Sequence, residues 1–123
     1  MGNYLLFELM DELTQLTKPF EKIFLMAPDV ALTVFEQKLT LLETIGKKTA
    51  IYYNKRDKVL LVSRFATGQP RLGRKGTSVQ CDFIELTDCT HEKNKTFVGR
   101  MMQHSYFRTS PVVRESLKKQ INF

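Results

Sequence analysis

Three residues able to do acid–base chemistry stand at equivalent places along this chain of 123 residues. Asp29 follows the apolar run in "KIFLMAPD", Asp57 follows "KTAIYYN" in "YYNKRDKVL", and His104 lies in "MQHSYF", beyond "SVQCDFIELT" and a long loop. In an open parallel sheet, working residues gather just past the carboxyl ends of the strands. An acid after one strand and a histidine after the next strand's loop is the order of the last two members of a nucleophile, acid, histidine triad. There the imidazole takes and returns the nucleophile's proton, and the acid fixes the imidazole tautomer. The nucleophile of such a site sits on a sharp G-x-S-x-G turn between a strand and a buried helix. The chain opens "MGNYLLFELM", running straight into an apolar helix with no capping residue ahead of it. That start suits the back half of such a turn. A Gly-x-Ser ahead of Met1 would make Met1 the residue after the nucleophile and Gly2 the closing glycine.

Each of these residues also has an ordinary structural role open to it. Asp57 can cap the helix that begins beside it, and His104 can be a surface-loop histidine. Asp29 fits better as the end of its strand and a cap on the next helix, with the triad acid as its lesser alternative. His91, among Asp88, Glu92 and lysines, reads as solvated. Ser63 falls within a helix, and Ser105 follows His104 on a loop without an elbow, so neither replaces the missing nucleophile. Cys81 and Cys89 make no disulfide framework. Cys81 falls in a strand pattern, as a buried thiol, and Cys89 in the loop after it. A zinc site from Cys81, Cys89, His91 and His104 lacks a CxxC or HxxxH pair, so neither a metal nor a cofactor is expected.

The elements that must position these residues follow from periodicity. Leu5, Leu9, Leu13 and Leu16 share one face of a helix over 3–17, widened by Leu6 and Met10, extended further round by Tyr4 and Phe7, and ended by Pro19. The unbroken apolar run Ile23 to Ala27 reads as a strand buried on both faces. Thr33 and Glu36 form a capping box for a second helix whose buried face is Phe35, Leu39 and Leu42, with Gly46 placed to end it. Strands are expected over 48–54 and 78–87 and a helix over 56–66. "TGQPRLGRKGTS" reads as a solvated basic loop that matches no phosphate-cradling motif. The last helix opens with Ser110 as N-cap and Pro111 at its first position, and Val113, Leu117 and Ile121 share its face. The alternation of helix and strand implies parallel strands with helices on both faces.

Composition sets the outer bounds. With 42% hydrophobic and 26% charged residues the chain has ordinary globular makeup and the length of a single domain. No apolar run reaches the roughly 18 residues of a membrane span, and no signal peptide is readable, so the compartment is left open. The net charge of +6 raises a nucleic-acid partner, but the cations are spread along the chain, mostly at element ends, which argues against that partner.

Beyond these readings, the ordered set "MGNYLL", "LMAPDVALTVF", "AIYYNKRDKVLLVSR", "PRLG", "CDFIELTD" and "QHSYFRTSPVV" resembles a family of uncharacterised bacterial α/β hydrolases, esterase- or lipase-like. The resemblance spans nearly the whole chain. It implies a partial α/β-hydrolase fold over residues 1–123, with about three parallel strands flanked by helices and the upstream strands missing. Asp57 then corresponds to the family's acid and His104 to its base, and the backbone of Met1 stands where one oxyanion-hole amide would be. The chain departs from the pattern in lacking the nucleophile serine. The resemblance therefore implies a truncated carboxylic-ester hydrolase, inactive alone, whose full-length parent takes a small ester-like substrate. A bare strand edge would allow self-association. The alternative reading is a non-enzymatic basic module for binding or interaction, which requires one continuous positive face.

Overall fold

The computed structural model describes residues 2–15, 20–91 and 104–121. Its framework is one parallel sheet of three strands, β1 (Phe20–Met26), β2 (Gly46–Tyr53) and β3 (Ile84–Asp88), in the order β1-β2-β3. Met26 pairs with Tyr52 and Tyr52 with Thr87, so the carboxyl ends finish level. Parallel neighbours need crossover connections. These are α3 (Leu32–Gln37) and α4 (Leu39–Ile45) between the first two strands, then α5 (Lys58–Thr67) and α6 (Leu72–Lys75) between the second and third. Before β1 come α1 (Gly2–Glu8) and α2 (Met10–Leu13); after β3 come a 3-10 turn (Ser105–Arg108) and α7 (Pro111–Ile121).

Successive side chains of a strand point to opposite faces, and both faces are covered here. Ile23, Leu25 and Ile51 pack with Phe7, Met10, Phe35, Leu42, Ile45 and Leu72 from the helices of one layer. Ala50 and Tyr52 face the other way, onto Tyr106, Val113 and Cys89, with Phe24, Met26, Phe107 and Leu117 at the margin. Burial on both faces is why the first strand shows no alternation of apolar and polar residues. Among the described residues no helix is long and apolar enough to cross a membrane.

Several local expectations are corrected. The first helix breaks at Leu9 (φ −91°, ψ 2°) and restarts. The break resets the helical count, so Phe7 and Met10 are buried while Leu5 and Leu9 are exposed. Residues 16–19, including Leu16 and Pro19, lie outside the described residues. The capping box does not form, because Thr33 lies inside α3 and Ala31 occupies the cap position without a side-chain bond. The amide of Leu32 at the helix start is satisfied by tertiary structure, donating to Pro70 O at 3.0 Å. Gly46 does end α4, but in an extended conformation (φ −138°, ψ 130°) that leads directly into β2. A Cβ there would come within 2.5 Å of Ile23 Cδ1, so a side chain at this position would have to displace that of Ile23.

The third strand is shorter than its sequence pattern. Its pairing with β2 begins only at Thr49 opposite Ile84. Cys81 therefore falls in the turn before the strand and is partly exposed, whereas Cys89 after it is buried. The long segment expected as a loop lies outside the described residues over 92–103. In α7 the cap is as read: Ser110 Oγ accepts from Val113 N at 3.1 Å. Val113 is buried and Leu117 partly so, while Ile121 has drifted to the exposed side.

Candidate functional site

The turn after β2 builds the first half of the site. Asn54 is fully buried, its amide donates to Gly73 O at 2.9 Å, and its Oδ1 accepts from Arg56 N at 2.8 Å. This side-chain turn bends the chain sharply out of the strand. Asp57 N then donates to Asn54 O at 3.1 Å, which closes the turn and brings Asp57 to the start of α5. There Asp57 Oδ1 accepts from Leu60 N at 2.9 Å, an N-cap bond. Its backbone oxygen receives Arg74 Nε at 3.3 Å.

The second half is held by aromatic packing on the far side of the sheet. Tyr106 is buried, and its hydroxyl donates to Tyr52 O at 2.9 Å. The Tyr52 hydroxyl in turn meets Ser116 Oγ of α7 at 2.9 Å. Phe107 stands edge-on to both Tyr106 (5.8 Å between centroids) and His104 (6.4 Å). This clamp sets the imidazole at the carboxyl end of the sheet, where His104 Nδ1 lies 2.6 Å from Asp57 Oδ2.

The electrostatics follow from that contact. The Asp57 side chain is fully buried and the His104 side chain about one-third exposed. A buried carboxylate is costly unless every oxygen is answered, and here one oxygen takes the α5 amide and the other the imidazole. The hydrogen bond to Asp57 raises the His104 pKa above its ordinary value; partial burial opposes this, and the negative charges of Asp57 and Asp29 add to it. The same bond assigns the Nδ1 proton to the neutral ring, which leaves Nε2 with a free lone pair. The arrangement is a histidine oriented through one nitrogen and available as a base through the other.

Asp29 is not part of that pair. Its Oδ1 accepts from Arg71 Nε at 2.6 Å and from Ser63 Oγ at 2.8 Å, while Arg71 Nη2 donates to Asp29 O at 3.0 Å. It does not cap α3 either, since Ala31 holds that position. Ser63 is a structural residue of α5, as its place in the sequence suggested. Three serines are engaged elsewhere: Ser63 on Asp29, Ser110 on its own helix and Ser116 on Tyr52. Met1 lies outside the described residues. Just after it, Asn3 Nδ2 donates to Met26 O at 3.0 Å, which fixes the start of α1 at the carboxyl end of β1. Among the described residues no group of three His, Cys, Asp or Glu side chains converges to hold a metal.

Sequence reasoning missed Asn54, Arg71 and Tyr106. The spacing "NKRD" carries a signal for the first, an Asx turn feeding an Asp N-cap. Nothing in "PRLG" announces that its arginine reaches an acid 42 positions earlier. No curated protein and no solved structure matches the chain. A family model described as an alpha/beta hydrolase of unknown function (DUF900) does match, over residues 1–120. With three parallel strands between two helical layers and nearly its whole length matched, the protein belongs to this alpha/beta-hydrolase family.

Proposed function

We propose that Asp57 and His104 are the acid and base of a carboxylic-ester hydrolase whose serine nucleophile is carried on the turn that enters α1. The observation that carries this reading is the 2.6 Å contact between His104 Nδ1 and the buried Asp57 carboxylate at the carboxyl end of a parallel sheet. In the reaction, His104 Nε2 removes the serine proton as the hydroxyl attacks the ester carbonyl. Asp57 stabilises the imidazolium that forms, and the same proton passes to the departing alcohol. Water then hydrolyses the acyl-serine by the same base. The backbone amide of Met1, next to the nucleophile, contributes one donor to the oxyanion.

Residues 1–123 alone then have a base with nothing to activate, and the reading requires them to be inactive. The test compares hydrolysis of a short-chain aryl ester by residues 1–123 with hydrolysis by the same residues preceded by a strand and a Gly-x-Ser turn. The longer chain is expected to turn over and the shorter to stay at background. His104→Ala or Asp57→Asn in the longer chain should lower kcat by about ten-thousandfold or more. Turnover unaffected by both substitutions would refute the assignment.

A further inference from the structure

Between α5 and α6 lies a cavity of about 310 Å3 lined by Lys55, Arg64, Pro70, Arg71, Arg74 and Lys75. Five of these six lining residues are cationic and none is acidic. Like charges are not gathered around a concavity without cost, because they repel one another. Among the described residues, two of the five have an acidic neighbour. Arg71 is held by Asp29 at 2.6 Å, and Lys55 stands 3.7 Å from Asp88. Among the described residues Arg74 uses Nε alone, on the backbone oxygen of Asp57. Arg64 and Lys75 form no ion pair among the described residues. The basic loop that looked merely solvated in sequence therefore folds, through α6, into one wall of a positively charged cavity.

We propose that this cavity binds a small phosphate-bearing ligand through Arg64, Arg74 and Lys75, with Lys55 also in the lining. Guanidinium groups match phosphate oxygens in pairs, and the ammonium adds a point charge. A cleft with walls of one sign concentrates the opposite charge at its mouth. The volume sits at the lower end of the range for small-molecule sites, which suits one or two phosphate groups rather than a large ligand. Arg71 is a positioning residue, because its guanidinium is committed to Asp29 and anchors α6 against the end of β1.

The test is binding, independent of ester hydrolysis, and inorganic pyrophosphate is the probe. Calorimetric titration of the 123-residue chain at low salt should show saturable binding that weakens steeply as salt rises. Arg64→Gln with Lys75→Gln, both at exposed positions, should weaken it about tenfold or more, the loss of at least one charge-assisted hydrogen bond. Lys118→Gln with Lys119→Gln removes the same charge from α7, outside the cavity lining, and, with all variants compared at about 0.15 M salt, where the Debye length is about 8 Å, should leave binding within about twofold of wild type. Amide resonances of residues 64–75 should shift on titration of the wild-type chain, a readout that needs no variant. A phosphorylated lipid headgroup offers the same chemistry. Pelleting with phosphatidylcholine vesicles containing phosphatidic acid would assign a membrane-borne ligand, and failure to pellet a soluble one. Absence of saturable pyrophosphate binding, or equal weakening by both pairs of substitutions, would overturn the site.

Discussion

Asp57 answers two demands with one carboxylate. Sequence alone left helix cap and catalytic acid as alternatives; the cap bond is made, Oδ1 taking the amide of Leu60, while Oδ2 takes His104, the contact on which the proposed acid role rests. The two contacts can be separated. Asparagine is a good N-cap, so Asp57→Asn should keep α5 in place while removing the negative charge. Asp57→Ala should lose the cap as well and be about 1 kcal/mol less stable than Asp57→Asn in urea unfolding. In both variants the imidazole pKa, followed by NMR, should fall from its raised value toward the ordinary one of about 6.5. The sign of the pH dependence follows. Because folding raises the His104 pKa, the pair's contribution to stability is complete below the unfolded value of about 6.5 and is lost as pH rises through the folded value. Wild type should therefore lose stability relative to Asp57→Asn as pH climbs through that window. Under the proposed function, ester turnover by the longer chain should move in the opposite sense, since a general base works only when neutral. A stability difference between wild type and Asp57→Asn that stays flat across the window would contradict the raised imidazole pKa.

At the scale of elements, what was legible is what local pattern determines. The apolar runs gave all three strands, the alternation gave their parallel arrangement, and Ser110 gave the start of α7. What was not legible depends on contacts between distant segments. Residues 70–73 run beside 28–32: Leu32 N donates to Pro70 O, Leu72 N to Val30 O and Gly73 N to Pro28 O. This tertiary pairing replaces the side-chain cap expected from Thr33 and Glu36. It also explains Gly73, where a Cβ would come within 2.5 Å of the backbone at Ala27 and Pro28. Gly73→Ala should cost about 1–3 kcal/mol, as overpacking against backbone does. Because Gly73 O also receives Asn54 N, the shift should reach the turn that carries Asp57 and alter the His104 resonances. Ser110→Ala, which removes the cap bond to Val113 N, should cost about 1 kcal/mol and leave those resonances in place. Equal effects of the two substitutions on His104 would show that the 70–73 segment does not support the site.

At the scale of the whole molecule, the sheet order leaves β1 and β3 as outer strands among the described residues. The outer side of β1 offers a row of backbone groups to a further strand. We expect residues 1–123 to gain mass with concentration in sedimentation, and the longer chain with its added strand to remain a monomer. Concentration-independent mass for the short chain would rule out association through that edge. The buried pairing of Tyr106 with Tyr52 has a consequence of a different kind. The chain holds four tyrosines and no tryptophan, so its intrinsic fluorescence is tyrosine emission alone. Burial drives the Tyr106 phenol far above its ordinary pKa, so in alkali it ionises well after an ordinary exposed tyrosine would, as long as the aromatic clamp stays docked. An ultraviolet alkaline titration thus reads, without any label, whether the segment bearing His104 is seated on the sheet.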